Sequence, residues 1–183
     1  MKKTILIALA SITLIQCAKK EDPFLIQKDS IGVLKKEYTI KQIDSVFAND
    51  SIIKYVAGDE FTGNSTDIKV YEKGGAHLLS LSPSESLDEN AKINIVTIYD
   101  ARYKTDKNVS LTSTFKDFKT HYEVLKIDRI LNNINIEFKN QDFYITIAID
   151  QLPSAYKFDY TRTIDVASIP DNAKIKSMRL DWF

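Results

Sequence analysis

The chain has 183 residues, one cysteine, two histidines and 25 basic against 25 acidic side chains, so its formal net charge is zero. These counts exclude an internal disulfide and a cysteine-rich zinc site, leave little material for a histidine-based metal centre, and provide no broad basic footprint for nucleic acid. With 44% hydrophobic and 27% charged residues the chain has the composition of a folded domain, not of a disordered one. Its first element is an export segment. Met1-Lys2-Lys3 is a short basic start, and Thr4 to Ile15 is almost wholly apolar. That is the n-region and h-region pattern of a signal peptide. The run is too short for an ordinary membrane-spanning helix, which needs about 20 residues.

The only cysteine follows at once, in Leu14-Ile15-Gln16-Cys17. This resembles the lipobox of bacterial lipoproteins, although Gln16 stands where a small residue is usual. The resemblance implies cleavage after residue 16 and lipidation of Cys17, which anchors the chain to a membrane. Lipid chains contribute roughly 0.8 kcal/mol per buried CH2, so several of them hold durably. The next residues are Ala18-Lys19-Lys20-Glu21-Asp22-Pro23. The run Lys19, Lys20, Glu21, Asp22 resembles the export signal that follows the lipidated cysteine in surface lipoproteins of the Bacteroidota. Together these features imply a cell-envelope protein on the outer membrane, on its periplasmic or outward side. Residues 1–16 are therefore assigned to the signal peptide, 17–30 to the lipidated cysteine and a tether, and 31–183 to one domain. Removing residues 1–16 takes away two lysines and no acid, leaving 167 residues with net charge −2. Such a globule has no strong attraction to anionic lipid or nucleic acid.

Within the domain, Thr39-Ile40-Lys41-Gln42-Ile43-Asp44-Ser45-Val46-Phe47 lines up with Thr114-Phe115-Lys116-Asp117-Phe118-Lys119-Thr120-His121-Tyr122. In each, a threonine can cap a helix, and three apolar residues recur at helical spacing. Two amphipathic helices are expected. Alternating strands follow each of them, Ile68-Lys69-Val70 and His77 to Leu81 in the first half, Ile134-Asn135-Ile136 and Phe143 to Ile147 in the second. Gly74-Gly75 suits the tight turn of the first hairpin. Gly58 to Thr66 is polar and glycine-containing, and is expected to be a loop or a wide turn. Lys92 to Tyr99 is a strand that continues toward Thr105, with Tyr99, Ala101 and Tyr103 on one face. Leu111 is expected in a short strand, and Met178, Leu180 and Trp182 alternate in a last one.

The expected fold is α+β, with two helix-plus-antiparallel-meander units, about 31–83 and 92–153, sharing a sheet or core, and a C-terminal strand region. This element order resembles the tandem α/β fold of beta-lactamase-inhibitor-like proteins.

No local spacing marks a catalytic set. His77 and His121 have no nucleophile or carboxylate at a recognisable interval, and the acidic pairs lack calcium-loop spacing. Nothing calls for a cofactor or a metal. Asp29-Ser30-Ile31 and Asp50-Ser51-Ile52 resemble the Asp-Ser-aliphatic pattern of O-glycosylation in Bacteroidota envelope proteins, making Ser30 and Ser51 candidate acceptors. Asp44-Ser45-Val46 matches too, but falls within an expected helix. The expected function is that of a non-catalytic envelope lipoprotein binding a protein or envelope component through its sheet face. The alternatives are a small envelope hydrolase built on His77 or His121, and a carrier of an apolar small molecule.

Overall fold

The computed structural model describes residues 22–59 and 63–182; side chains are described outside 57–64. In chain order the elements are β1 (Leu25–Gln27), β2 (Ser30–Ile31), β3 (Leu34–Lys35), a 3-10 turn (Ile40–Gln42) running into α1 (Ile43–Val46), β4 (Ser51–Asp59), β5 (Gly63–Tyr71), β6 (His77–Pro83), β7 (Ile93–Ile98), β8 (Lys104–Thr105), α2 (Phe115–His121), β9 (Val124–Ile130), β10 (Asn133–Phe138), β11 (Phe143–Ala148), α3 (Ser154–Lys157) and β12 (Ser177–Asp181). The fold is α+β, and most of it is sheet. Helix is scarcer than a pair of helix-plus-meander units implies: α1 spans one turn and α2 two.

The main sheet has eight antiparallel strands in the order β4-β5-β6-β7-β12-β11-β10-β9. On either side of the last strand lie sequential meanders, β4 to β7 and β9 to β11, and the last strand joins them. Ile98 pairs directly with Met178 across β7 and β12. Ile98 also faces Leu79 in β6, while Met178 faces Ile145 in β11. The β5–β6 and β10–β11 pairs have matching registers. Ile68 opposes Leu81 and Val70 opposes Leu79 in the first half; Ile134 opposes Ile147 and Ile136 opposes Ile145 in the second.

Alternation gives the sheet one apolar face. Ile68, Val70, Leu79, Leu81, Val96, Met178, Leu180, Ile134, Ile136, Ile145 and Ile147 are all buried there. The two amphipathic stripes cover it. Ile40, Ile43 and Phe47 are buried from the first, Phe115, Phe118 and Tyr122 from the second. Phe118 and Tyr122 pack with Phe138 and Phe143, ring centroids 5.1 to 6.2 Å apart. Both stripes begin at a threonine whose N–H is taken by a side chain one turn ahead: Thr39 donates to Gln42 Oε1 (3.0 Å) and Thr114 to Asp117 Oδ2 (2.7 Å).

Four expectations change. The tether assigned to 17–30 is too long, because β1, β2, β3 and β8 form a second, four-stranded sheet. Ile26, Ile31 and Leu34 drive its first three strands into the core, and Trp182 Nε1 donates to the Lys28 carbonyl at 3.1 Å. Gly58 to Thr66 is not a wide loop: β4 and β5 stay paired out to Asp59 and Gly63. Leu111 lies in a turn instead of a strand. Tyr99 and Tyr103 do not share a face, since β7 stops at Ile98 and the chain turns at Asp100, whose carboxylate accepts the Arg102 N–H at 2.8 Å. Tyr103 is then buried, while Tyr99 remains half-exposed.

Candidate functional site on the open sheet face

Residues between the buried ones point to the other face of the main sheet, which no helix or second sheet covers among the described residues. One row crosses six central strands through Lys69, Ser80, Thr97, Arg179, Tyr144 and Glu137. Apart from Ser80 these side chains are all half-exposed.

Two features interrupt that polar face. At one end, the His77 ring is sandwiched between two tyrosines. Tyr71 stacks on it at 4.6 Å and 20°, and Tyr99 at 4.0 Å and 17°. A bulge in the β5–β6 pairing between Val70 and Tyr71 brings His77 opposite Tyr71. His77 Nε2 lies 3.1 Å from the Leu79 carbonyl and 3.2 Å from Ser80 Oγ. Burial holds its pKa below the ordinary histidine value. Tyr99, at 53% exposure, is the outward end of the stack. Beside it, the Arg102 guanidinium bonds Glu72 and Asp100 together, at 2.9 and 2.8 Å, and lies over the Phe24 ring. Its hydrogen bonds hold the Asp100 carboxyl below the usual range.

Toward the other end lies a shallow depression of about 200 Å³, lined by Leu125, Glu137, Tyr144 and Asp181 among others. Arg179 Nε stands 3.9 Å from Asp181 Oδ1, and neither shielded atom has a hydrogen-bond partner. Burial raises the Asp181 pKa, with Arg179 opposing.

On the covered side, a cleft of about 290 Å³ lies between the small sheet, α2 and the β10–β11 turn. Its polar groups include Asp106 and Tyr122, whose hydroxyl donates to Asp106 Oδ1 at 3.3 Å. Burial pushes the Tyr122 hydroxyl pKa up. Neither histidine lines this cleft or the depression, and His121 is exposed at the end of α2.

Cys17, Lys19, Lys20 and Glu21 lie outside the described residues, while Asp22 is exposed and its carboxylate accepts the Phe24 N–H at 2.9 Å. Ser30 is half-buried and its hydroxyl donates to Gln27 Oε1 at 3.1 Å. Ser51 is exposed at the start of edge strand β4, and Ser45 donates to the Gln42 carbonyl. The structure does not bring these residues together.

No family model matches the chain, and no curated protein does either. Among solved structures it is similar to the uncharacterized protein yfeY from Escherichia coli, with a TM-score of 0.57 over 84% of this chain and 97% of that one. The two share a fold. Identity is 9%, so the likeness carries no residue-level argument.

Proposed function

We propose that the protein is a non-catalytic cell-envelope lipoprotein, anchored to the outer membrane through Cys17, whose open sheet face binds a protein or another envelope component. The observation that carries the binding role is the Tyr71–His77–Tyr99 stack: three rings held in register on an uncovered face, with Tyr99 half-exposed. Aromatic side chains of this kind concentrate binding energy at interfaces, because they present rigid area at low entropic cost. The anchor is supported by the position of the lone cysteine directly after an export segment. Lys19, Lys20, Glu21 and Asp22 support outward display, and Ser51, exposed on β4, is the better-placed candidate for glycosylation. We read the matching hairpin registers in the two halves as the trace of a duplicated strand unit, with Met178 and Ile98 at its local two-fold.

The alternative hydrolase is less favoured, since His77 is committed to ring stacking and His121 lines neither cleft described above. An apolar carrier is less favoured too, because the cleft beside α2 is lined by Gln27, Lys28, Asp106 and Asp142 as well as apolar groups.

Affinity capture from native envelopes tests both parts of the reading. The wild type is expected to fractionate with the outer membrane and retain a partner. Cys17→Ser should release it from the membrane, and Tyr99→Ala should keep the anchor while losing the partner. An identical partner profile for Tyr99→Ala and wild type would sink the assignment of the open face.

A further inference from the structure

We propose that the domain rests on the lipid surface with one particular end, and that Leu131 and Phe158 enter the headgroup layer there. The inference depends on the anchoring at Cys17 proposed above. Its first support is chain length. Cys17 is five residues before Asp22, and a fully extended chain covers at most about 3.6 Å per residue, so the first described residue stays within about 18 Å of the lipid. The chain is already fixed to the body at that point. The Phe24 carbonyl accepts the Lys104 N–H at 2.9 Å, the Leu25 carbonyl accepts the Gly32 N–H at 2.8 Å, and the Pro23 carbonyl packs against Gly32 so closely that no Cβ fits there.

The second support is which end this places downward. Phe24 and Tyr103 meet where β7 has just ended at Ile98. Pairing carries that end of the sheet across to the β9–β10 turn: Ile98 opposes Met178, Thr146 opposes Ser177, and Asn133 opposes both Ala148 and Ile130. Large apolar residues are left uncovered at this end, and Leu131 and Phe158 are more exposed than Leu87 at the other. Leu131 is 80% exposed and sits in the turn at φ +51°, a conformation in which glycine or asparagine is ordinary and leucine gains nothing for the fold. Phe158 is 85% exposed and Tyr160 67%. Neither dangles. The Arg129 guanidinium, two residues before Leu131, donates to the carbonyls of Tyr156, Lys157 and Asp159 at 2.7 to 3.0 Å and lies over the Tyr160 ring at 4.0 Å. One arginine thus fixes the Phe158 segment beside the Leu131 turn. Val33, 48% exposed, adds a further apolar tip next to Pro23. A weakly acidic domain is not drawn to a membrane by charge, so shallow apolar insertion is the contact that suits this surface.

The test uses full-length lipidated protein in phosphatidylethanolamine–phosphatidylglycerol vesicles. With Cys17 acylated, Leu131→Cys, Phe158→Cys and, at the opposite end of the sheet in the β6–β7 connection, Leu87→Cys are each labelled with an environment-sensitive fluorophore, and brominated lipids serve as quenchers. The expected result is blue-shifted, quenched emission at 131 and 158 and unchanged emission at 87. Protein that floats with the vesicles while all three labels respond alike overturns the docking and leaves the anchor standing. Protein that fails to float, with no lipid mass on Cys17, overturns both.

Discussion

Gly32 shows how one residue ties the amino terminus to the body. Its φ is +55°, and a Cβ there would collide with the Pro23 carbonyl oxygen while touching the Tyr103 ring at 3.4 Å. A left-handed conformation costs a non-glycine residue roughly 1–2 kcal/mol, and an overlap with backbone adds to that because backbone cannot rotate away. Gly32→Ala is therefore expected to lower unfolding stability by at least about 1 kcal/mol in a urea titration. Gly75→Ala is the control: its added Cβ meets only Glu72, at 3.8 Å, and the shift should stay within about 0.5 kcal/mol. The sequence marks Gly74-Gly75 as a turn, and the structure agrees, with Gly74 at φ +74°. It does not mark Gly32, whose need for positive φ arises from a contact with a residue nine positions away. The candidate site was partly legible for the same reason. His77 stands out by its chemistry, but its two stacking partners lie on neighbouring strands, and only the bulge at Tyr71 brings the three rings together.

At the scale of elements, period-two alternation made the central strands readable. β5, β10 and β11 each bury every second side chain, β6 buries four in a row from Leu78 to Leu81, and the residues singled out from sequence pair as expected. The edge strands β4 and β9 carry no such signal. Ile53, Tyr55, Val56, Leu125 and Ile130 are all exposed large apolar residues there, so hydrophobicity and burial part company. The three short strands at the amino terminus are invisible to any period, since each contributes one buried residue. Helix α2 is legible because its cap is local, and the cap is testable. Asp117 accepts from both the N–H and the hydroxyl of Thr114, at 2.7 and 2.9 Å, and those bonds hold its carboxyl below the ordinary pKa. A depressed folded-state pKa means that stability is gained above the unfolded value and lost as pH falls through the folded one. Asp117→Ala should cost about 1 kcal/mol at pH 7, as cap removals do. The difference from wild type should close as the pH drops well below 3.8. Paired thermal melts at pH 7 and at acid pH check this, and a gap that persists at low pH would mean that the carboxylate is not the source.

For the whole molecule the decisive strand is the last one. β12 lies between β7 and β11, so the final residues of the chain join two meanders laid down long before. Its alternation is legible in Met178, Leu180 and Trp182, but its place at the centre is not. That place is set by the unpaired edges that β7 and β11 would otherwise leave inside the sheet. Met178, Leu180 and Trp182 are buried to 3% exposure or less. Deleting a buried side chain of this size typically costs about 2–5 kcal/mol, so the three together approach the whole stability of a domain, about 5–15 kcal/mol, before the lost ladder bonds are counted. A chain ending at Lys176 is therefore expected to lose cooperative unfolding altogether, not to fold into two stable halves. Folding of the intact chain should also be slow, in the millisecond-to-second range typical of non-local β pairing, with burial of Trp182 among the late events. Stopped-flow tryptophan fluorescence follows that burial directly, because Trp182 is the sole tryptophan. A truncated chain that still melts cooperatively, or a tryptophan signal complete within microseconds, would show that the meanders are self-sufficient and that β12 only docks onto them.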